Sequence, residues 1–201
     1  MSPEISVVIP TYNRTGELAL CLEGLANQTA PNDYFEVVVV DDGSSEDLTH
    51  LVAQYSDALD IKFERRPHLG VSEARNHAIG VAGAPLLILG EDDLRPLPSM
   101  VAYCLDFHTR YPGEGDATLL YFVADYSLNR NLLLHCLVDH VGLYFGFPER
   151  QGIYGHEMFW GGAVSCKKSI FRHGLFDPTY SATEDTEVAA RIAERLDLRI
   201  H

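Results

Sequence analysis

Two kinds of hydrophobic spacing alternate along the first half of the chain. Residues 5–10, 35–41, 61–64 and 86–89 are short and mostly apolar, with little of the in-out alternation of a half-exposed strand. Runs of this length and continuity predict strands covered on both faces, as in a parallel sheet. Between them, apolar residues recur at intervals of three and four. Leu18, Leu22, Leu25 and Ala26, with Cys21 among them, predict a helix over 15–27. A second helix is predicted over 47–55, and Val71, Ala74, Ala78, Ile79 and Ala82, stopped by Gly83, predict a third. Strands and helices in this alternation predict an α/β domain with a doubly wound, mostly parallel sheet flanked by helices.

The pattern loosens after Pro96. Met100, Val101, Cys104, Leu105 and His108 share one helical face, 118–123 reads as a fifth strand, and residues 132–147 are unusually apolar. That apolar stretch predicts a helix packed on the sheet or a homodimer contact. The alternative is a greasy acceptor groove or a membrane-surface patch. Val188, Ile192 and Leu196 mark the face of a last helix, and 198–201 begins what reads as another strand.

Composition narrows the classes. The chain has 201 residues, 46% hydrophobic and 22% charged, which suits one domain with a substantial core. A formal net charge of −14 excludes a protein that grips nucleic-acid backbone, and an electrostatic anchor on anionic lipid. It also means that a phosphate-bearing substrate would need a divalent metal to hold it. Cys21, Cys104, Cys136 and Cys166 form no C-x-x-C pair and read as reduced thiols of an intracellular protein. No basic leader precedes the first strand and no apolar run reaches transmembrane length, so the expected location is cytoplasmic.

Candidate chemistry sits at the strand ends. The fourth strand runs into Gly90, Glu91, Asp92 and Asp93. Three neighbouring acids repel one another unless a cation lies among them; the alternative is a turn and helix cap ahead of Pro98 and Ser99. The second strand ends in Asp41-Asp42-Gly43-Ser44, where Asp42 is placed to accept from a base N–H or a ribose hydroxyl. An Asx turn is the plainer account of that tetrapeptide. The third helix opens at Gly70, so its N-terminus is a candidate anion site. Arg75 there reaches either a ligand oxygen or a neighbouring acid on the surface. Neither the G-x-G-x-x-G of a dinucleotide fold nor the glycine-rich basic loop of a sugar nucleotidyltransferase follows the first strand.

Four segments occur in order: Val-Ile-Pro-Thr-Tyr-Asn-Arg, Val-Val-Val-Asp-Asp-Gly-Ser, Gly-Val-Ser-Glu-Ala-Arg-Asn-His-Ala-Ile-Gly and Leu-Gly-Glu-Asp-Asp-Leu-Arg-Pro. Over about 5–196 this resembles a family 2 glycosyltransferase with the GT-A fold. The resemblance implies an inverting transferase of hexosyltransferase type that moves a sugar from a nucleotide-sugar donor, UDP-linked by preference, to an acceptor hydroxyl. Residues 1–97 would form the nucleotide-sugar-binding half. Residues 98–201 would form an incomplete acceptor half, since members continue past this point.

By the same resemblance, Pro10, Thr11, Asp42, Arg75, Glu91 and Asp92 bind the nucleotide sugar. Asp93 and Glu91 hold manganese or magnesium, and Trp160, Gly161, Gly162 and Glu184 line the donor-sugar and acceptor loop. Asp185 is the catalytic base. The acceptor would be a saccharide or a lipid-linked sugar, with no nucleic-acid partner. Two further readings share these motifs: a nucleotide-sugar-binding module without turnover, and a nucleotide-sugar hydrolase.

Overall fold

The computed structural model describes residues 2–120, 152–180 and 182–201. Among the described residues, seven strands form one sheet: β1 (Ile5–Thr11), β2 (Phe35–Asp41), β3 (Ile61–Arg65), β4 (Leu86–Leu89), β5 (Asp116–Leu119), β6 (Val164–Lys167) and β7 (Arg199–Ile200). Their order is β3-β2-β1-β4-β6-β5-β7. β1 pairs parallel with β2 and β4, and β2 with β3, so the first half is the doubly wound sheet predicted from the spacing. β6 runs antiparallel to both β4 and β5, and β7 returns parallel to β5.

Every residue of β1 and β2 is buried, which is why their apolar runs are nearly unbroken. One face of the sheet packs on α1 (Thr15–Ala26) and α4 (Met100–Arg110), where Leu18, Leu22, Leu25, Val101 and Cys104 meet Ile5, Val7, Ile9, Val37 and Val39. The other packs on α3 (Val71–Val81) and α5 (Glu184–Ala193), where Ala74, Ala78, Val188 and Ile192 meet Val8, Val38 and Leu87. Among the described residues, no helix is long and apolar enough to cross a membrane.

Several predicted boundaries move. The second helix shortens to α2 (Thr49–Ala53). The fifth strand begins two residues earlier than its apolar run, at Asp116. Lys168–His173 form a 3-10 run after β6, and Leu196 lies past the end of α5, packed against the core. On α4, Phe107 rather than Leu105 is fully buried. The apolar stretch 132–147, with Cys136 and the dimer or membrane contact it suggested, lies outside the described residues.

Polar groups are built into this core as well. Glu36, in the middle of the β1–β2–β3 layer, accepts from Ser6 Oγ at 2.6 Å and pairs with Lys62 Nζ at 2.8 Å. On the other side, His108 Nε2 lies 2.9 Å from Ser165 Oγ, whose hydroxyl donates to the Leu87 carbonyl at 2.9 Å. The serine proton is therefore committed, so His108 carries its own proton on Nε2 and donates it. Nδ1 is left buried with no partner among the described residues.

A charge there would be buried, and burial, helped by nearby Lys167 against the pull of Asp116, pushes the His108 pKa down to about 4 from 6.5. The folded value lies below the unfolded one, so the unfolded chain takes up the proton first as pH falls. Stability should then drop between pH 6.5 and 4, by on the order of 3 kcal/mol if this group acts alone. Urea midpoints measured across that window should flatten in His108→Gln. An equally steep profile in the variant would assign the acid sensitivity to other groups.

Candidate active site

The site grows from loops at the C-terminal ends of β1, β2 and β4, the crevice where an open parallel sheet receives ligands. β1 ends in buried Thr11, whose hydroxyl donates to Asp92 Oδ2 at 2.7 Å. The chain then turns through Asn13 at φ 55°, a left-handed conformation that asparagine tolerates. Asn13 is held on both sides. Its N–H donates to Ser44 Oγ at 2.8 Å, and its Oδ1 accepts from Ser45 N at 2.7 Å. The β1 and β2 loops are thus tied together, and Arg14 is carried across to the end of β4. Its Nη1 donates to Asp92 Oδ1 at 3.1 Å and Asp93 Oδ2 at 2.8 Å.

The Asp41-Asp42 pair divides its work. Asp41 closes the turn, accepting from Ser44 N at 2.9 Å. Asp42 holds the loop before α3: Oδ1 accepts from Leu69 N at 2.8 Å, and Oδ2 from Gly70 N at 2.9 Å. Gly70 has φ 97°, a region in which a Cβ is strained. Asp42 Oδ1, with Leu69 N as its one partner among the described residues, keeps a further lone pair for a ligand. His68 lies against the same carboxylate at 2.8 Å and stacks on Tyr12, ring centroids 4.0 Å apart. Pro10, Thr11, Tyr12, Arg14, Asp42, His68, Glu91 and Asp92 are among the residues lining a cleft of about 340 Å³.

Arg75 is not on the surface. It is 3% exposed, its guanidinium carbon lies 5.4 Å from the Phe176 ring centre, and it bridges two carboxylates. Nη2 donates to Glu91 Oε1 at 2.7 Å and Nη1 to Glu184 Oε1 at 2.9 Å. Segments far apart in sequence are joined by this one side chain. Both diglycine positions pack into the junction. A Cβ on Gly161 would stand 3.2 Å from Asp185 Cβ and 3.3 Å from Arg75 Nη1, and one on Gly162 only 2.5 Å from Glu91 Oε1.

Asp185 opens α5 beside them. Its Oδ2 accepts from Gly161 N at 3.2 Å and its Oδ1 from Thr186 N at 2.7 Å. Trp160 is half-buried, and its carbonyl accepts from Ala163 N at 3.0 Å, closing the turn that presents the two glycines.

A family model described as glycosyl transferase family 2 matches residues 6–173. The chain belongs to that family. Validoxylamine A glucosyltransferase of Streptomyces hygroscopicus subsp. jinggangensis is 43% identical over 108 residues, 53% of this family 2 chain and 26% of that protein. Chondroitin synthase of Escherichia coli is 37% identical over 223 residues, 94% of this chain and 32% of that protein. The chain spans about a quarter to a third of the length of these relatives.

Two solved structures share the GT-A architecture. Staphylococcus aureus TarS 1–349 in complex with UDP superposes with a TM-score of 0.78 at 17% identity, covering 98% of this chain and 57% of that one. The mannosyltransferase PcManGT of Pyrobaculum calidifontis, in complex with GDP-Man and Mn2+, gives 0.72 at 21% identity, covering 100% and 54%.

The electrostatics of the acid cluster follow from its crowding. Burial, with the charges of Asp93 and Asp92 adding to it against Arg75, raises the Glu91 pKa. Burial also raises that of Asp92, opposed by Thr11 and Arg14. Among the described residues, no group of three His, Cys, Asp or Glu side chains is gathered as a metal cluster. The oxygens nonetheless fit magnesium or manganese in kind, because such ions use one or two carboxylates and complete their shell with substrate phosphates and water. Asp93, next in sequence to Asp92 of the cleft lining, has a side chain 44% exposed and is in contact with Arg14.

Sequence reasoning passed over Arg14, Tyr12 and His68. A signal for Arg14 was present: three adjacent acids require a cation, and this arginine ends the first strand-end motif.

Proposed function

We propose that this chain carries the donor-binding and catalytic core of an inverting glycosyltransferase using a nucleotide sugar, UDP-linked by preference. The observation that carries the proposal is the Arg75 bridge. It draws Glu91, from the acid cluster at the nucleotide-sized cleft, to Glu184, 109 residues away from Arg75 and next to Asp185. A binding module needs the cleft alone; the bridge sets a carboxylate-bearing helix end against it. That TarS was solved with UDP and PcManGT with GDP-Man and Mn2+ supports the choice of donor class.

In this reading Thr11 and Asp42 hold the nucleoside, and Gly161 and Gly162 line the donor-sugar side, their lack of side chains letting Asp185, Arg75 and Glu91 close in on that loop. Trp160 flanks the sugar. Asp93, with Glu91 or Asp92 assisting, would hold manganese or magnesium, which when bound supplies charge neutralisation on the diphosphate leaving group. Asp185 takes the proton of an acceptor hydroxyl as that oxygen bonds to the anomeric carbon. The bond from the anomeric carbon to phosphate oxygen breaks, and its electron pair leaves with the nucleotide. A single displacement from the opposite face inverts the configuration, as in inverting glycosidases.

Product analysis of the natural full-length protein, given a panel of nucleotide sugars and saccharide or lipid-linked acceptors, tests this. Transfer to an acceptor supports the proposal. Free sugar as the sole product would make the protein a hydrolase, and donor binding without any turnover would make it a binding module.

A further inference from the structure

The contact between Arg14 and the Asp92–Asp93 pair has a role of its own. With Arg75 assigned to Glu91, the two aspartates carry two negative charges, and one guanidinium nitrogen touches both of them. A guanidinium cancels one of these charges; a divalent cation would cancel both. The Arg14 side chain is half-exposed, so its guanidinium can trade these partners for solvent or for another anion.

Everything around Arg14 is better fastened than its tip. The backbone is pinned by Asn13 on one side, and on the other the Arg14 carbonyl accepts from Leu18 N at 3.0 Å as α1 begins. Asp92 is held independently by Thr11, whose hydroxyl donates to Oδ2 at 2.7 Å. Exchange therefore requires only a side-chain rotation.

We propose that Arg14 is the resident counter-ion of Asp92 and Asp93 and is displaced when a divalent cation enters. The inference rests on the metal-dependent reading above. It makes the bare protein a poor metal binder, because the incoming ion must first evict the arginine. Manganese should bind well only together with the nucleotide, whose phosphates complete its shell and offer the displaced guanidinium an anionic partner.

The test is titration with manganese, followed by the electron paramagnetic resonance signal of the free ion, with and without saturating UDP. Wild type is compared with Arg14→Gln and Arg14→Lys. Without UDP, Arg14→Gln should bind manganese roughly tenfold tighter than wild type, which is about 1.4 kcal/mol. Arg14→Lys, which keeps the charge, should stay near wild type, and UDP should narrow the gap. Manganese binding that Arg14→Gln leaves unchanged or weakens would overturn the displacement and spare the metal reading. So would tightening by lysine as large as by glutamine. No manganese binding by any of the three, even with UDP, would overturn the metal reading and the displacement with it.

Discussion

Asp185→Asn in the full-length protein is expected to lower turnover by roughly a hundred- to ten-thousand-fold, the usual share of a general base. Donor affinity should stay nearly unchanged, because the carboxylate opens α5 beside Gly161 and is absent from the lining of the nucleotide cleft. Asparagine is nearly the same shape but takes no proton. One of its two terminal atoms becomes a donor, so either the bond from Gly161 N or that from Thr186 N is lost. That loss is worth about 1 kcal/mol and a small fall in melting temperature. A residue that only caps the helix would show this fall with activity intact. Single-turnover assays with calorimetry of donor binding separate the two cases, and full turnover by the variant would remove Asp185 from the chemistry.

Arg75→Met should destabilise the fold by about 2–4 kcal/mol. Removing one partner of a buried ion pair costs about 3–5 kcal/mol when burial is complete, and here the Glu91 side chain reaches solvent, which reduces the figure. Glu91 and Glu184 would be left facing each other without a cation, and the contact with the Phe176 ring would go too. Lysine supplies one ammonium in place of a planar fork, so it cannot span both carboxylates with the same geometry. Arg75→Lys should therefore recover only part of the loss. The double variant Arg75→Met with Glu184→Gln should lose less than the sum of its single variants. Chemical denaturation of the unaltered protein and these four variants reads this directly. A cost below about 1 kcal/mol for Arg75→Met would mean that the bridge behaves as an ordinary surface pair.

What could be read in the chain before its structure depended on how local the cause was. β1, β2 and β4 are covered on both faces, so their apolar runs announced them. β5 was misplaced because its first residue, Asp116, is polar and yet buried, held by Arg199 at 2.8 Å and His201 at 3.2 Å. Those partners come from the far end of the chain and leave no trace in hydrophobic spacing around residue 116. β6 has four residues, too few to show from their pattern that it runs antiparallel to β4.

The site divides along the same line. Asp42, Glu91, Asp92 and Asp93 stood out because strand ends in parallel sheets are where ligand chemistry collects. Arg75 was noticed as a possible ligand group, but its partners could not be inferred, since Glu184 lies 109 residues away. Nor could the tie between the β1 and β2 loops, which aims Arg14 at the aspartates through the hydrogen bonds of Asn13 with Ser44 and Ser45. Motifs marked where chemistry would gather, and tertiary contacts decided which side chains meet there.

The central claim, transfer of a sugar with inversion, is tested most directly by proton NMR of the anomeric centre in the product. The full-length protein would be supplied with an α-linked UDP-sugar, manganese and an acceptor found in the product screen. The account predicts a β-linked product that appears as UDP accumulates and is lost in Asp185→Asn. An α-linked product, or a β-linked one formed equally well by Asp185→Asn, would contradict it.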